Sequence, residues 1–432
     1  MIPDRITVPA MNMRFLITFF LVASTLSAPL KSQTCLAHTL LQERMESDEQ
    51  VAASRDRIES FTQNWIANHA AETQVTPRNV LTIPVVVHVV WRTEAENISD
   101  AQIVSQIEAL NNDYRLLNAN AGIVTFPPFL SVRADSEIQF ELAIMDPAGN
   151  ATNGITRTQT SLEDIGLLRI GGKRAICYDD LGGKSVWCSN HYLNIWVGKF
   201  PQGITGEASF PGQDDPEEDG VRIDADHFGT TGTVAPPYHL GRTATHEVGH
   251  YLNLYHIWGG SGDSDPDCEF DDEVPDTPNQ AFNYKGQCPV WSGQISCGPL
   301  PDMFYNYMDY TNDACMAMFT LGQKQRMRAT LNGPRAELLT QEGLCKPITG
   351  TNDFADAPKL KILPNPANQY FMMEGTQGAD LVQCFDVKGT LWPVYQELGD
   401  RFSVAHLPAG TYIIQVKNEK NIITKKLIIA RL

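Results

Sequence analysis

The segment HEVGHYLNLYH, residues 246–256, contains side chains that can hold a metal ion. His246 and His250 are four residues apart, so on a helix their imidazoles share one face and can reach the same Zn²⁺ ion. Glu247 lies beside the first histidine, where its carboxylate can take a proton from a water molecule at the metal. The pattern therefore predicts a hydrolytic zinc site.

A third histidine, His256, follows His250 by six residues, and a continuous helix would point it away from the metal. The chain must therefore turn sharply after Leu252. Glycine is usual at such a turn because a left-handed backbone costs it little, but here Asn253 stands in its place. Asparagine is the non-glycine residue that best tolerates this backbone. We expect the helix to end here and His256 to be the third zinc ligand.

Regular elements are predicted on both sides of this segment. Three runs have the length and composition of strands: 81–91, 138–145 and 192–198. Helical spacing of apolar residues is found in three other stretches: 38–76, the segment that Ser99 can cap, and 319–331. Residues 257–305 show neither period, and a loop of that length must be held by cross-links. The fold class expected from these elements is α+β.

The composition limits the classes of function. The formal net charge of −18 argues against nucleic-acid binding, which needs basic surface. Arg14 precedes an apolar run that is too short to span a membrane, which is typical of an export signal, and no transmembrane segment is expected in the mature protein. Export leads to an oxidising compartment, so the nine cysteines are expected mainly in disulfides, with at least one left over.

From about Leu81 to Cys345 the chain resembles the pappalysin family of metzincin metalloproteases, particularly its bacterial, ulilysin-like members. The resemblance is carried by five stretches: YLNIWV, GRTATHEVGHYLNLYHIWGG, DTP, CP and NYMDYTNDACMAMFTLGQKQRM. It implies a zincin-like catalytic domain with a twisted mixed sheet, an active-site helix and an irregular C-terminal subdomain. It also implies one catalytic Zn²⁺ ion and cleavage of protein or peptide substrates.

The resemblance implies roles for further residues of this site. The three histidines would hold zinc and Glu247 would be the general base. Met308 matches a methionine that forms a tight turn beneath the metal. Tyr310 matches a tyrosine that stabilises the tetrahedral intermediate or swings on and off the metal; either residue, taken alone, also fits an ordinary core position. Asp313 falls in the wall of the S1′ pocket, where a carboxylate favours Arg or Lys at P1′. A surface aspartate or a helix cap is the alternative for Asp313.

The acidic segment DCEFDDEVPDTP, residues 267–278, follows the third histidine. The family places structural Ca²⁺ here, and a solvated acidic loop is the alternative. The candidate calcium ligands are Asp272, Asp276 and Thr277. The resemblance also implies two crossed disulfides, Cys268–Cys297 and Cys288–Cys315. Cys177 and Cys188 are well spaced for a third, local disulfide.

Cys35 lies just after the predicted export signal and before a helix-prone segment. The latent forms of the family resemble cysteine-switch zymogens, in which a propeptide thiolate occupies the open zinc position. Glycine tends to follow this cysteine in the family, whereas Leu36 follows it here. A lipoprotein anchor on Cys35 is the other interpretation.

The C-terminal part contains ILPNPANQY, DVKG, LPAGTYIIQV and KKLIIARL, which together resemble the sorting domain of the type IX secretion system of Bacteroidetes. This implies a secreted or cell-surface protein that uses the type IX secretion machinery; an accessory binding sandwich is the alternative. Five segments are predicted: a signal peptide region at 1–34, a propeptide at 35–79, the catalytic domain at 80–348, a linker at 349–358 and a small all-β sandwich at 359–432.

A rival function is a catalytically weak or inactive surface adhesin on a metzincin scaffold. Inactive homologues usually lose the glutamate or a metal ligand, and here Glu247 and all three histidines are present. The sequence therefore favours a secreted zinc endopeptidase.

Overall fold

The computed structural model divides the chain into two compact units, Met1–Lys346 and Pro347–Leu432. The residues that it describes are 35–69, 80–259, 268–289, 293–340, 361–374, 381–386, 390–396, 401–417 and 422–431. The predicted signal region 1–34 and linker 349–358 lie outside them. Within the described ranges, no helix has the length and apolar character needed to cross a membrane.

The first unit is built on a six-stranded mixed sheet with the order β2-β1-β6-β8-β7, in which β3 also pairs with β1. The strands of this unit are β1 Leu81–Trp91, β2 Ile138–Leu142, β3 Ile155–Gln159, β4 Arg169–Ile170, β5 Lys173–Arg174, β6 Leu193–Gly198, β7 Gly206–Ala208 and β8 Val221–Asp224. Strand β1 is central because its β-branched residues are buried on both faces. Only the β7–β8 pair of this sheet is antiparallel, so β7 forms an antiparallel edge.

Among the described residues of this unit, six α-helices accompany the sheet: α1 Ala37–Ser47, α2 Glu49–His69, α3 Asp100–Tyr114, α4 Pro127–Val132, α5 Arg242–Tyr251 and α6 Leu321–Leu331. Ser99 caps α3 as predicted, because its side chain accepts a hydrogen bond from the backbone N–H of Gln102. Helix α6 begins with a capping box between Thr320 and Gln323. Helix α3 packs against α5, and α2 packs against α6.

Residues 257–305 contain no helix or strand in the parts that the structure describes. Two disulfides hold this region, Cys268–Cys297 and Cys288–Cys315, and both are the pairs that the resemblance implied. The cross-links tie the described parts of this segment to one another and to Cys315 beyond its end.

The predicted disulfide between Cys177 and Cys188 is wrong. Cys177 is a free, buried cysteine, and Cys188 is disulfide-bonded elsewhere. Packing explains the error: Cys177 belongs to an apolar cluster around Trp196, whereas Cys188 packs against a different cluster around Tyr192. Burial raises the pKa of the Cys177 thiol to about 12, so it behaves as a core side chain.

The second unit contains two four-stranded antiparallel sheets, in the orders β13-β14-β10-β9 and β12-β11-β15-β16. Its strands are β9 Lys361–Leu363, β10 Tyr370–Glu374, β11 Leu381–Asp386, β12 Leu391–Trp392, β13 Tyr395–Gln396, β14 Arg401–Ser403, β15 Gly410–Lys417 and β16 Ile422–Ile429. Buried side chains of both sheets, including Phe371, Ile414 and Leu427, form one apolar core. This is the predicted all-β sandwich, and the α+β fold class is confirmed.

Candidate active site

Three histidines converge at the end of α5. His246 and His250 lie one turn apart on this helix, and their Nε2 atoms are 3.0 Å apart. His256 Nε2 lies 3.0 Å from that of His250 and 3.3 Å from that of His246. All three side chains are buried. The structure therefore brings together the three residues that the spacing selected as zinc ligands.

The hydrogen bonds of the other ring nitrogens show what the converging atoms can bind. Nδ1 of His246 lies 2.8 Å from the carbonyl oxygen of Tyr307, and Nδ1 of His250 lies 2.7 Å from that of Leu254. A carbonyl oxygen only accepts, so each Nδ1 carries the proton and each Nε2 presents a lone pair. Lone pairs that face each other at this distance need a cation between them.

The spacing fits zinc. Tetrahedral Zn²⁺ with Zn–N bonds of 2.0–2.1 Å places its ligand nitrogens about 3.4 Å apart, close to the separations found here. Burial lowers the pKa of His246 to about 4 and holds those of His250 and His256 well below the ordinary value, which favours the neutral imidazole that a metal requires.

A left-handed turn brings His256 back to the other two histidines. Asn253 has φ 73°, which confirms the predicted left-handed turn after the helix. The N–H of Leu254 bonds to the carbonyl of Gly249 at 2.9 Å, so this turn also closes the end of α5. Asparagine thus performs the backbone role for which glycine is usual.

Met308 lies beneath the histidines. It is fully buried, and a Cβ added to Gly249 would lie 2.5 Å from its sulfur. The backbone N–H of Met308 donates to the side chain of Asn306 at 2.9 Å, which holds the turn. Gly249 is therefore required by close packing, and Met308 occupies the place of the expected methionine turn.

Glu247 and Tyr310 flank the histidines on the open side of the site. Glu247 is buried, and burial raises its pKa to about 8. A Cβ on Gly206 of β7 would lie 2.9 Å from Glu247 Oε1, so the edge strand passes directly beside this carboxylate. The hydroxyl of Tyr310 lies 3.1 Å from His256 Nε2.

Cys35 lies within this constellation. Its Sγ and one ring nitrogen from each of the three histidines lie within 4.8 Å of one another. The thiol donates to Glu247 Oε2 at 3.4 Å, and the Tyr310 hydroxyl donates to the Cys35 carbonyl at 3.3 Å. The backbone of Leu36 bonds to Gly206 at 3.4 Å, so this segment lies along β7.

Asp313 lines the same cavity, together with Glu247 and Tyr310. One of its oxygens, Oδ2, accepts hydrogen bonds from the backbone N–H groups of Leu240 and Arg242 at 2.6 and 3.5 Å, at the beginning of α5. The other oxygen, Oδ1, is buried and has no hydrogen-bond partner among the described residues. The side chain thus caps the helix and keeps a second, buried oxygen without a hydrogen bond among the described residues.

The candidate calcium ligands occupy the loop after His256. Thr277 Oγ1 lies 2.6 Å from Asp272 Oδ1, whereas Asp276 Oδ2 accepts from the N–H of Gly322 at 2.9 Å. Asp272 Oδ2 and Asp276 Oδ1 are buried and have no hydrogen-bond partner among the described residues. The structure therefore leaves two carboxylate oxygens in this loop for an additional ligand.

One set of contacts at the site was not predicted from the sequence. Arg55 of α2 donates to the Asn253 side chain at 2.6 Å, and Glu59 of the same helix accepts from Arg326 at 2.7 Å. The signal available in the sequence was a pair of opposite charges four residues apart on a predicted helix. That pattern identifies a helix face but not what the face touches.

Together, the histidines, the turn that returns His256, the methionine beneath them and the adjacent glutamate define a zinc metalloendopeptidase of the metzincin class. Residues 177–332 match the family Peptidase_M43, described as pregnancy-associated plasma protein-A, and residues 361–430 match the secretion system C-terminal sorting domain. The chain belongs to this M43 metalloprotease family. The sorting domain also identifies it as a secreted or cell-surface protein.

Similar proteins agree with this assignment. An extracellular metalloprotease of Arthroderma benhamiae is 32% identical over 279 residues, which are 63% of this chain and 85% of that protein. The structure of Tannerella forsythia mature mirolysin in complex with a cleaved peptide is 46% identical, with a TM-score of 0.56, over 61% of this chain and 97% of that one. A Tannerella forsythia promirolysin mutant is 40% identical, with a TM-score of 0.60, over 71% of this chain and 97% of that one.

Proposed function

We propose that the chain cleaves peptide bonds with Zn²⁺ held by His246, His250 and His256 and with Glu247 as the proton carrier. The convergence of three histidine Nε2 atoms beside a buried carboxylate is the observation that carries this proposal. When bound there, zinc lowers the pKa of a water molecule and polarises the substrate carbonyl. Side chains of the protein perform the remaining work.

Glu247 moves the proton and Tyr310 stabilises charge. Burial raises the pKa of Glu247, so its carboxylate accepts a proton from the attacking water and then gives it to the leaving amine. The Tyr310 hydroxyl lies next to the histidine cluster and donates a hydrogen bond to the oxyanion that develops on the substrate. Neither role requires a rearrangement of α5.

Replacement of Glu247 by alanine tests this assignment. Zinc-dependent cleavage of casein should fall by 10²–10⁴-fold, on the order expected for loss of a general base, while the bound zinc remains. The matched control is Glu108→Ala, which removes an exposed glutamate of α3. A folded, zinc-loaded wild-type protein that cleaves nothing in a broad peptide library would favour the surface adhesin instead.

Cys35 is proposed to keep the unprocessed protein latent. Its thiolate would be the fourth zinc ligand and would take the position that the attacking water needs, which its proximity to the histidines and Glu247 supports. Cys35→Ala should therefore give an unprocessed protein that cleaves casein. Cys177→Ala, at another free buried cysteine, should remain latent. Unchanged latency of the Cys35 variant would exclude the switch.

Asp313 is proposed to favour Arg or Lys at P1′. Its place in the cavity lining and its buried, unpartnered Oδ1 support this role, since a buried carboxylate oxygen gains most from a cationic partner. The Asp313→Asn variant keeps an acceptor for the α5 cap and removes the charge. Cleavage-site profiling on a peptide library should show basic P1′ residues for the wild type and lose this bias in the variant. A wild type without the bias would exclude the role.

The loop of Asp272, Asp276 and Thr277 is proposed to bind structural Ca²⁺. The two buried, unpartnered carboxylate oxygens support this, because hard oxygen ligands suit that ion. Calcium added to dialysed protein should raise the Tm, and Asp272→Asn should remove the increase. A Tm that does not respond to calcium in the wild type would exclude the site.

The second unit is proposed to be recognised by the type IX secretion machinery, with residues 1–34 as the export signal and 35–79 as the propeptide. The match of residues 361–430 to a sorting domain supports this. In a host with that system, a chain truncated after residue 358 should accumulate in the periplasm. N-terminal sequencing of the secreted protein would locate the propeptide boundary. Export of the truncated chain would contradict the proposal.

A further inference from the structure

Helix α2 docks on the turn that follows the zinc helix through one buried arginine. Arg55 donates from Nη2 to Asn253 Oδ1 at 2.6 Å and to the Tyr255 hydroxyl at 2.9 Å. Its Nη1 donates to the carbonyl of Pro211 at 2.8 Å. Only 3% of Arg55 is exposed, so Nη1 and Nη2 have exchanged water for these acceptors, whereas the buried Nε has no hydrogen-bond partner among the described residues. Hydrogen bonds of this kind, with one charged partner, are the stronger ones.

Aromatic rings complete the site. The Arg55 guanidinium carbon lies 5.3 Å from the centre of the Phe210 ring and 5.9 Å from that of Tyr255, within the range of cation–π attraction. We call the group formed by Phe210, Pro211, Asn253 and Tyr255 the arginine socket. Its planar faces and three acceptors match a guanidinium and would fit the ammonium of lysine less well.

An ion pair between Glu59 and Arg326 contacts the same helix one turn further on. Glu59 accepts hydrogen bonds from both terminal nitrogens of Arg326, one of them at 2.7 Å. Nε of Arg326 donates to the backbone carbonyl of Asn253 at 2.7 Å. Asn253 is therefore held from its side chain by Arg55 and from its backbone by Arg326, which Glu59 in turn holds. The surface formed by the arginine socket and Arg326 therefore binds an Arg and a Glu that are four residues apart on one helix.

Two glycines allow α2 to approach. A Cβ on Gly212 would lie 2.8 Å from Ser54 Oγ, and a Cβ on Gly333 would collide with the ring of Phe61. Both partners lie on α2, on either side of Arg55 along the helix. The helix thus contacts backbone directly at two points, in addition to the polar contacts.

We propose that the arginine socket is a binding site for α2 that works without the metal. It retains residues 35–69 on the first unit after Cys35 has left the histidines and after the chain has been cut between 70 and 79. Release of the propeptide is then a second step, separate from the loss of the thiolate. This inference rests on the proposed role of residues 35–79 as a propeptide. The ligand class is a helix that presents Arg and Glu at i and i+4.

The test uses the full chain with a site for a sequence-specific protease placed between residues 70 and 79 and a fluorescent label at the N-terminus. All variants carry Cys35→Ala, so that the thiolate contact is absent. After cleavage, loss of label on dilution and gel filtration gives the dissociation rate of the propeptide fragment. The parent is compared with the same protein carrying Arg55→Ala and, as matched control, Arg57→Ala, an exposed arginine of the same helix.

The fragment should stay bound in the parent and in the Arg57 variant, and should leave on the order of 10–100-fold faster with Arg55→Ala. Release from the parent as fast as from the Arg55 variant would overturn the proposal, and so would equal rates for the Arg55 and Arg57 variants. If the Arg55→Ala protein does not fold, Arg55→Lys replaces it, since lysine lacks the planar fork. An unchanged rate there would also overturn the socket.

The same measurement separates this inference from the proposed enzyme function. Fragment retention is read without catalysis and should be the same when Glu247→Ala is added. If retention follows Arg55 but no variant cleaves casein, the socket stands and the peptidase proposal fails. If casein is cleaved but Arg55→Ala does not change the retention of the fragment, only the proposed role of the arginine socket is excluded.

Discussion

Two residues of the segment 35–69, Cys35 and Arg55, are held in different ways. Cys35 lies among three histidine ring nitrogens, and its proposed attachment there depends on a metal ion and on a thiolate. Arg55 meets neutral oxygens and aromatic rings that need neither. Under the two proposals, latency and attachment are separable: the zinc site would be unblocked while the helix remains in place.

Metal removal should distinguish the contacts of Cys35 from those of Arg55 most clearly. With zinc chelated from the unprocessed protein, Cys35 loses its proposed partner and should become reactive toward a maleimide, whereas in the zinc-loaded protein it is buried and protected. We expect essentially complete labelling after chelation and almost none before it. Mass spectrometry would locate the label, and the buried Cys177 and Cys384 are internal controls that should stay unlabelled. Protection of Cys35 that survives chelation would show that zinc does not hold this residue.

Asn253 joins the two regions, so its variants should distinguish them. Asn253→Val should lose zinc, because a β-branched residue resists φ 73° and the turn then fails to return His256. Asn253→Gly should keep zinc, because glycine accepts this backbone, but should weaken retention of α2 because the acceptor for Arg55 is gone. Metal analysis and the dissociation assay measure both. Equal zinc contents in the two variants would mean that the turn is built in another way.

Local features of the zinc site were predictable from the sequence. The spacing of His246 and His250 and the backbone preference of Asn253 act within one turn of helix, so they could be read without tertiary information. The contact between Arg55 and Asn253 spans 198 residues, and no local pattern specifies it. A resemblance to a family carries information about the fold, so it can predict contacts between residues that are far apart in the sequence. It predicted the two disulfides in this way.

The sheet shows the same limit. The apolar run of β1 was predictable because it is buried on both faces, whereas β3, ITRTQ, has exposed and half-buried residues and was not identified. The edge strand β7 has only three residues, too few for any period. The error at Cys177 arose similarly: spacing constrains how near two cysteines are, but the neighbouring core decides which way each sulfur points.

The socket should also contribute to the stability of the unprocessed protein, with a moderate effect. Arg55→Ala should lower the free energy of unfolding of the first unit by about 1.5–3 kcal/mol, the range for hydrogen bonds to a charged group. Arg57→Ala, which changes an exposed side chain of the same helix, should change it by less than about 0.5 kcal/mol. Denaturant titration measures both values. Equal destabilisation by the two variants would assign the effect to helix propensity rather than to the socket.

The smallest expected effect is a pH dependence of the ion pair between Glu59 and Arg326. Burial would raise the pKa of Glu59, but the hydrogen bond and charge of Arg326 outweigh it, and the pKa lies below its ordinary value of 4.5. Docking therefore favours the ionised carboxylate. Its contribution is present above that ordinary value and is lost as the pH falls through the lowered pKa.

Retention of the cut propeptide should accordingly be constant near neutral pH and should weaken below about 4.5. The groups that face Glu59 are Arg326, Arg55, Gln63 and Glu273. Glu59→Gln keeps a hydrogen-bonding side chain without the titration, so the difference in dissociation rate between it and the parent should shrink as the pH falls. Because Glu59 is partly exposed, solvent screens the pair and the change should be only a few-fold. A difference that does not vary with pH would remove Glu59 from the second contact and leave Arg55 as the anchor.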